Sequence, residues 1–190
     1  MSFLPTDYQL PTATNNYMKL QPGSNRFRIT GSFSATPPTA IMGWLAWKEE
    51  EGKRMPCRFR MADKPTAGSF DEDPKHMWAM TVLNLTDSAN PQFQILELTQ
   101  KPIHDELTKL FNDDDWGTPC GNAGYDIEIF RIGEGKDTKY QTNPKPRAAL
   151  NGEVLALVRP CNLDALFDGE DPFELELTSE PDPEPAQPDF

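Results

Sequence analysis

Alternation of apolar and polar positions dominates the middle of the chain. Arg26-Phe-Arg-Ile-Thr30 alternates as a half-buried strand does, and Tyr125-Asp-Ile-Glu-Ile-Phe-Arg-Ile132 repeats the pattern. Thr39–Trp47 is apolar and aromatic, with Gly43 where a strand can bend or bulge. Cys57–Arg60 predicts a third short strand after a polar turn, and residues 61–75, with Pro65, Gly68 and Pro74, predict a loop. His76–Asn84 and Gln92–Leu98 flank a turn-rich stretch ending at Pro91, which predicts an antiparallel hairpin. Ile103, Leu107, Leu110 and Phe111 then fall on one helical face, with Thr99 as the expected N-cap and Pro102 in the first turn. Asn112–Gly124 breaks the period. Gly133–Asp137 turns the chain from the 125–132 strand into a return strand at Thr138–Thr142, and a short helix is expected near Leu163–Phe167.

Short strands interrupted by one helix predict a mainly β fold, an OB-fold-like Greek-key barrel; a β-sandwich is the alternative. Residues 1–16 are polar, carry Pro5 and Pro11, and read as a flexible arm, which can close over a ligand or pair with a second subunit in a homodimer. The domain then spans 17–167. Residues 168–190 hold nine acids, five prolines and no Lys or Arg, too little apolar surface to offset the entropy of ordering them, so a disordered acidic tail is expected.

Charge changes the picture once it is mapped. The net charge is −12, which taken alone disfavours a polyanionic partner. With the tail set aside, the remaining 21 acids nearly balance the 18 bases, all of which lie in residues 1–167. Such a body can carry a basic groove. No apolar stretch approaches the roughly 20 residues of a membrane-spanning helix, and the N-terminus has no secretory pattern. Cys57, Cys120 and Cys161 are too dispersed for a disulfide framework or for usual zinc spacing, and His76 and His104 do not complete a metal motif.

Catalytic signatures are missing. There is no nucleophile elbow, Walker loop or zinc-protease helix; Gly133-Glu-Gly135 reads as a turn, and Asp113-Asp-Asp115 as a solvated loop. No enzyme and no cofactor are expected. Binding of single strands asks instead for cations that follow phosphates and flat rings on which bases stack. Candidates are Lys19, Arg26, Arg28, Arg58, Arg60, Lys75, Lys136 and Lys139, with Tyr17, Trp44, Trp47, Trp78 and Tyr140; Arg26/Arg28 and Arg58/Arg60 each share a strand face. Buried aromatics usually serve packing, and paired arginines can be no more than a solvated face. Asp189 and Phe190 combine charge and an aromatic ring that a basic-rimmed apolar pocket can capture.

Tyr17-Met-Lys-Leu, Arg26-Phe-Arg-Ile, Ile41-Met-Gly-Trp and His76-Met-Trp-Ala resemble the opening of single-stranded-DNA-binding proteins of tailed bacteriophages. Gln94–Gln100, Asp115-Trp-Gly and Tyr125–Gly135 look like the same group's central hairpin, helix and following hairpin, so the likeness covers roughly 17–146. The resemblance implies an OB-fold, sequence-tolerant binding in DNA replication, recombination and repair, and work in the cytoplasm of an infected bacterium. It also implies that the acidic tail recruits replication or recombination proteins, and that Arg131, in the matching hairpin with Lys139 and Tyr140, joins the strand-binding residues. Some relatives hold zinc; no matching Cys/His cluster stands here, and zinc is not carried over. Two rivals are an acidic factor or DNA mimic acting on a host protein, and a metal-dependent nuclease.

Overall fold

The computed structural model describes residues 15–174. Eight strands form one mixed sheet: β1 (Tyr17–Met18), β2 (Gly23–Ile29), β3 (Ala40–Glu50), β4 (Lys53–Arg60), β5 (Lys75–Asn84), β6 (Gln92–Leu98), β7 (Asp126–Ile132) and β8 (Lys139–Pro144). Helix α1 covers Lys101–Phe111, and two single-turn helices, α2 (Gly152–Leu155) and α3 (Ala165–Asp168), follow the last strand. The protein is therefore mainly β, as its alternation predicts. The sheet is open: β1, β4 and β8 are not joined to one another.

β5 organises the sheet. One edge pairs with β6 from Trp78 to Asn84, while the other pairs first with β3 over residues 75–80 and then with β2 over 82–84. The change of neighbour happens at Thr81, whose carbonyl accepts from the Thr30 and Gly31 amides while its own amide donates to Thr39. Residues 77–83 are all buried, which explains why this strand reads as a nearly continuous apolar run.

Each face of β5 has its own cover. On one side Trp78, Met80 and Val82 pack with Phe27, Ile127 and Ile129 beneath α1, whose Ile103, Leu107 and Leu110 are buried, each contributing roughly 1.5–3 kcal/mol. On the other, Met77, Ala79 and Leu83 lie under the C-terminal segment through Leu150, Val154, Cys161, Leu163, Leu166, Phe167 and Phe173. Gly43, paired on both sides, stays regular rather than bulged. A Cβ there would come within 2.4 Å of the Phe59 carbonyl oxygen and 2.8 Å of the Phe167 ring, so the glycine makes room for the neighbouring strand and for the cover.

Several boundaries differ from the sequence expectation. The β3–β4 hairpin runs to Glu50 and Lys53, turning on Glu51 (φ 52°) and Gly52 (φ 73°), the left-handed pair of a type I′ turn. Gln100, not Thr99, precedes the first turn of α1, with Pro102 inside it. β1 runs parallel to β6, Tyr17 opposite Ile95, and was not foreseen. Pro172 and Phe173, assigned by composition to the tail, are packed while the residues around them are exposed: Phe173 meets the Phe93 ring edge-on, and Arg159 lies 4.0 Å above the Phe173 ring. The first fourteen residues of the arm and residues 175–190, with Asp189 and Phe190, lie outside the described residues.

An aromatic and imidazole stack joins α1 to the sheet. Trp78 stacks on His104 at 4.6 Å and donates its indole N–H to His76 Nε2 at 3.0 Å; His76 Nδ1 therefore donates to the Gly43 carbonyl. Burial lowers the basicity of His104, partly offset by its hydrogen bond to the Leu98 carbonyl. A depressed imidazole pKa means that the unfolded chain binds the proton more tightly, so stability is full above the ordinary value of 6.5 and is lost as pH falls below it. Thermal midpoints recorded between pH 8 and pH 5 should decline below about 6.5, and His104→Gln should flatten that decline.

Candidate nucleic-acid interface

The coil of the sheet creates a cleft. Arg58 on β4 contacts Glu97 on β6 at 2.6 Å. On a flat sheet their Cα atoms, three inter-strand steps and four residues apart, would be separated by about 19 Å, too far for the two side chains to span. The sheet therefore curls sharply across β4, β3, β5 and β6, and the ion pair spans the hollow so formed.

This cleft has a volume of about 470 Å³ and takes residues from seven of the eight strands: Tyr17 and Met18 of β1, Leu45 and Trp47 of β3, Arg58 of β4, Lys75 of β5, Glu97 of β6, Arg131 of β7 and Tyr140 of β8. Lys19, Leu20, Thr99 and Gln100 complete it. Four cations face one carboxylate, and three aromatic rings are interspersed. Seven of the residues singled out from sequence, Tyr17, Lys19, Trp47, Arg58, Lys75, Arg131 and Tyr140, thus share one concave surface.

Each is held differently. Lys19 is exposed; Lys75 pairs with Glu72 at 3.0 Å on the rim. Trp47 is half-buried with the Arg54 guanidinium 4.7 Å above its ring, and the Asp71 amide donates to its carbonyl. Arg131 is anchored through Nη1 to the Leu20 carbonyl at 2.9 Å, while its Nε is buried without a partner. Tyr140 packs against the α1-side core. Burial pushes the Tyr17 hydroxyl pKa up, with Arg58 opposing and Glu97 reinforcing. Burial also works against the charge of Arg58, but the hydrogen bond and charge of Glu97 outweigh it and raise its pKa.

Other expected contact residues lie elsewhere. Trp78 is 8% exposed and stacked between His104 and Phe111, so its expected role at the strand is corrected to core packing. Arg28 is corrected likewise. It is 1% exposed, and Nε donates to Asp126 while its other nitrogens donate to the carbonyls of Gly121, Asn122 and Ala148. Arg26 shares Asp126 at 2.6 Å, and Arg60 is tied to Asp164 at 2.5 Å and stacks over Phe167 at 4.8 Å. Trp44 lies on the opposite face of β3 from Leu45, its indole bonded to the Met61 carbonyl and Lys64 4.3 Å above the ring. Lys136 and Lys139 are exposed on the β7–β8 hairpin.

Glu97 is the charged member of the cleft that sequence reasoning passed over; its signal was a lone acid in the strand-like run Phe93–Leu98. Beside the cleft, Tyr17 also borders a hollow of about 270 Å³ formed with Asn16 and Gly169–Phe173, so the acids Glu170 and Asp171 lie next to Tyr17. Among the described residues no three His, Cys, Asp or Glu side chains are grouped to hold a metal ion, and no helix is long and apolar enough to cross a membrane. No family model matches the chain, and no curated protein matches it.

Proposed function

We propose that the protein binds single-stranded DNA without sequence preference, in the manner of the bacteriophage proteins that it resembles, within an infected bacterial cell. The observation that carries this reading is the cleft that gathers Lys19, Arg58, Lys75 and Arg131 with Tyr17, Trp47 and Tyr140. Cations spaced along a groove neutralise phosphates, and rings between them accept bases of any identity, because every base has a π-face. No step of the function requires covalent chemistry. Lys136 and Lys139 on the β7–β8 hairpin extend the positive surface beyond the cleft.

The finer fold reading follows the same line. An OB-fold is a small, partly open Greek-key barrel that binds strands across its curved face. The shared strand β5, the sharp coil marked by Arg58 and Glu97, and a helix inserted between β6 and β7 support that assignment. Glu170 and Asp171 border Tyr17, and the sequence beyond them is acidic, which supports a tail that competes with DNA for the cleft and, once displaced, is free to recruit replication or recombination proteins through residues such as Asp189 and Phe190.

Titration with oligo(dT), followed by tryptophan fluorescence on the whole chain and on residues 1–174, tests the reading. Salt-sensitive quenching, tighter without the tail, is the expected result. An absence of binding by both forms would remove the single-strand reading and favour an acidic factor that acts on a protein.

A further inference from the structure

Within the cleft, Arg58 and Glu97 form a side-on pair: Nε to Oε1 at 2.6 Å and Nη2 to Oε2 at 3.1 Å. Both side chains are largely covered, 12% and 19% exposed, yet both line the cleft. The same guanidinium fork accepts two phosphate oxygens as readily as two carboxylate oxygens. Glu97 is also the one carboxylate among the cleft-lining residues, so an entering polyanion meets attraction from Arg58 and repulsion from its partner at a single point.

We propose that Glu97 is a built-in stand-in for a strand phosphate, holding Arg58 while the cleft is empty and giving it up to DNA on binding. The inference rests on the single-strand reading of the cleft. The exchange has a specific ionic consequence. When Arg58 neutralises a phosphate, the DNA loses a condensed cation; the vacated Glu97 takes up a cation in its turn, from solution or from a cleft lysine. Arg58 then adds almost nothing to net ion release, and the pair sets a ceiling on affinity that keeps the protein readily displaced from the strand.

Glu97→Gln keeps an oxygen acceptor for Arg58 while removing the charge. With oligo(dT) titrated over a range of salt concentrations, this variant should bind about tenfold tighter, and its log–log salt dependence should steepen by about 0.7, the single-strand contribution of one phosphate. The double variant Arg58→Gln/Glu97→Gln, which deletes both charges, should retain the salt slope of the natural protein. A purely structural clamp predicts otherwise: Glu97→Gln would bind equally or more weakly with an unchanged slope, which would overturn the proposal while leaving the natural protein's binding intact. Failure of the natural protein and both variants to bind would overturn the cleft reading and this inference together.

Discussion

Arg28→Ala is expected to cost about 3–5 kcal/mol of folding stability, the usual penalty for breaking a buried ion pair from one side. The guanidinium is 1% exposed and joins three separate parts of the chain: Asp126 on β7, the carbonyls of Gly121 and Asn122, and that of Ala148. Its loss leaves Asp126 buried with one remaining partner and strips three carbonyls of a donor. Arg26 contacts the same carboxylate but is 48% exposed, so Arg26→Ala should cost no more than about 1 kcal/mol. Urea unfolding of the two variants checks this. Equal, small losses would mean that Arg28 is not the staple its contacts describe.

The second large effect concerns the cleft. Trp47→Ala should weaken oligo(dT) binding by roughly ten- to a hundredfold, corresponding to about 1–3 kcal/mol for a lost base stack, and should leave the salt dependence unchanged because no charge is removed. Lys19→Gln should do the reverse, lowering affinity modestly and reducing the salt slope by about 0.7. Anisotropy of a labelled oligonucleotide is the suitable readout, since Trp47 would otherwise be the lost reporter. Trp44→Ala, on the opposite face of β3, serves as the control and should bind nearly as the natural protein does. A loss at Trp44 that equals the loss at Trp47 would move the strand to the other face of the sheet.

Elements whose signal is local were readable from sequence. The β5–β6 hairpin follows from two strand-like runs either side of a turn-rich stretch, and α1 from helical spacing, with Ile103, Leu107 and Leu110 buried as that spacing requires. β1 was not readable: two residues pair with a strand almost eighty positions away, and nothing local marks them. Of the cover formed by Leu150–Phe173 only the short helix near Leu163–Phe167 was readable; its place over the sheet was hidden, because its apolar residues recur without a regular period. An indirect trace of it existed. The unbroken apolar run His76–Asn84 demands that both faces be buried, so something had to lie over the second one.

The site was legible in residue type but not in arrangement. Arg26-Phe-Arg28 and Arg58-Phe-Arg60 look alike as sequence, yet Arg28 is locked in the interior and Arg58 lines the cleft. What separates them is the carboxylate each meets, Asp126 at 98 positions' distance and Glu97 at 39. Trp78 and Trp47 divide for the same reason: α1 supplies His104 and Phe111 to cover the first, while the second has only Arg54 above it. Cross-strand partners decide which cations and rings are free, and partners that remote leave no mark on local sequence.

The most direct test of the central claim is ultraviolet cross-linking of the full chain to an oligo(dT) that carries photoreactive bases, followed by mass spectrometry of the attached peptides. Adducts are expected at Tyr17, Trp47 and Tyr140, three residues that the coiled sheet brings to one cleft. Adducts confined to Trp44 and its neighbours on the opposite face, or none at all, would contradict the claim.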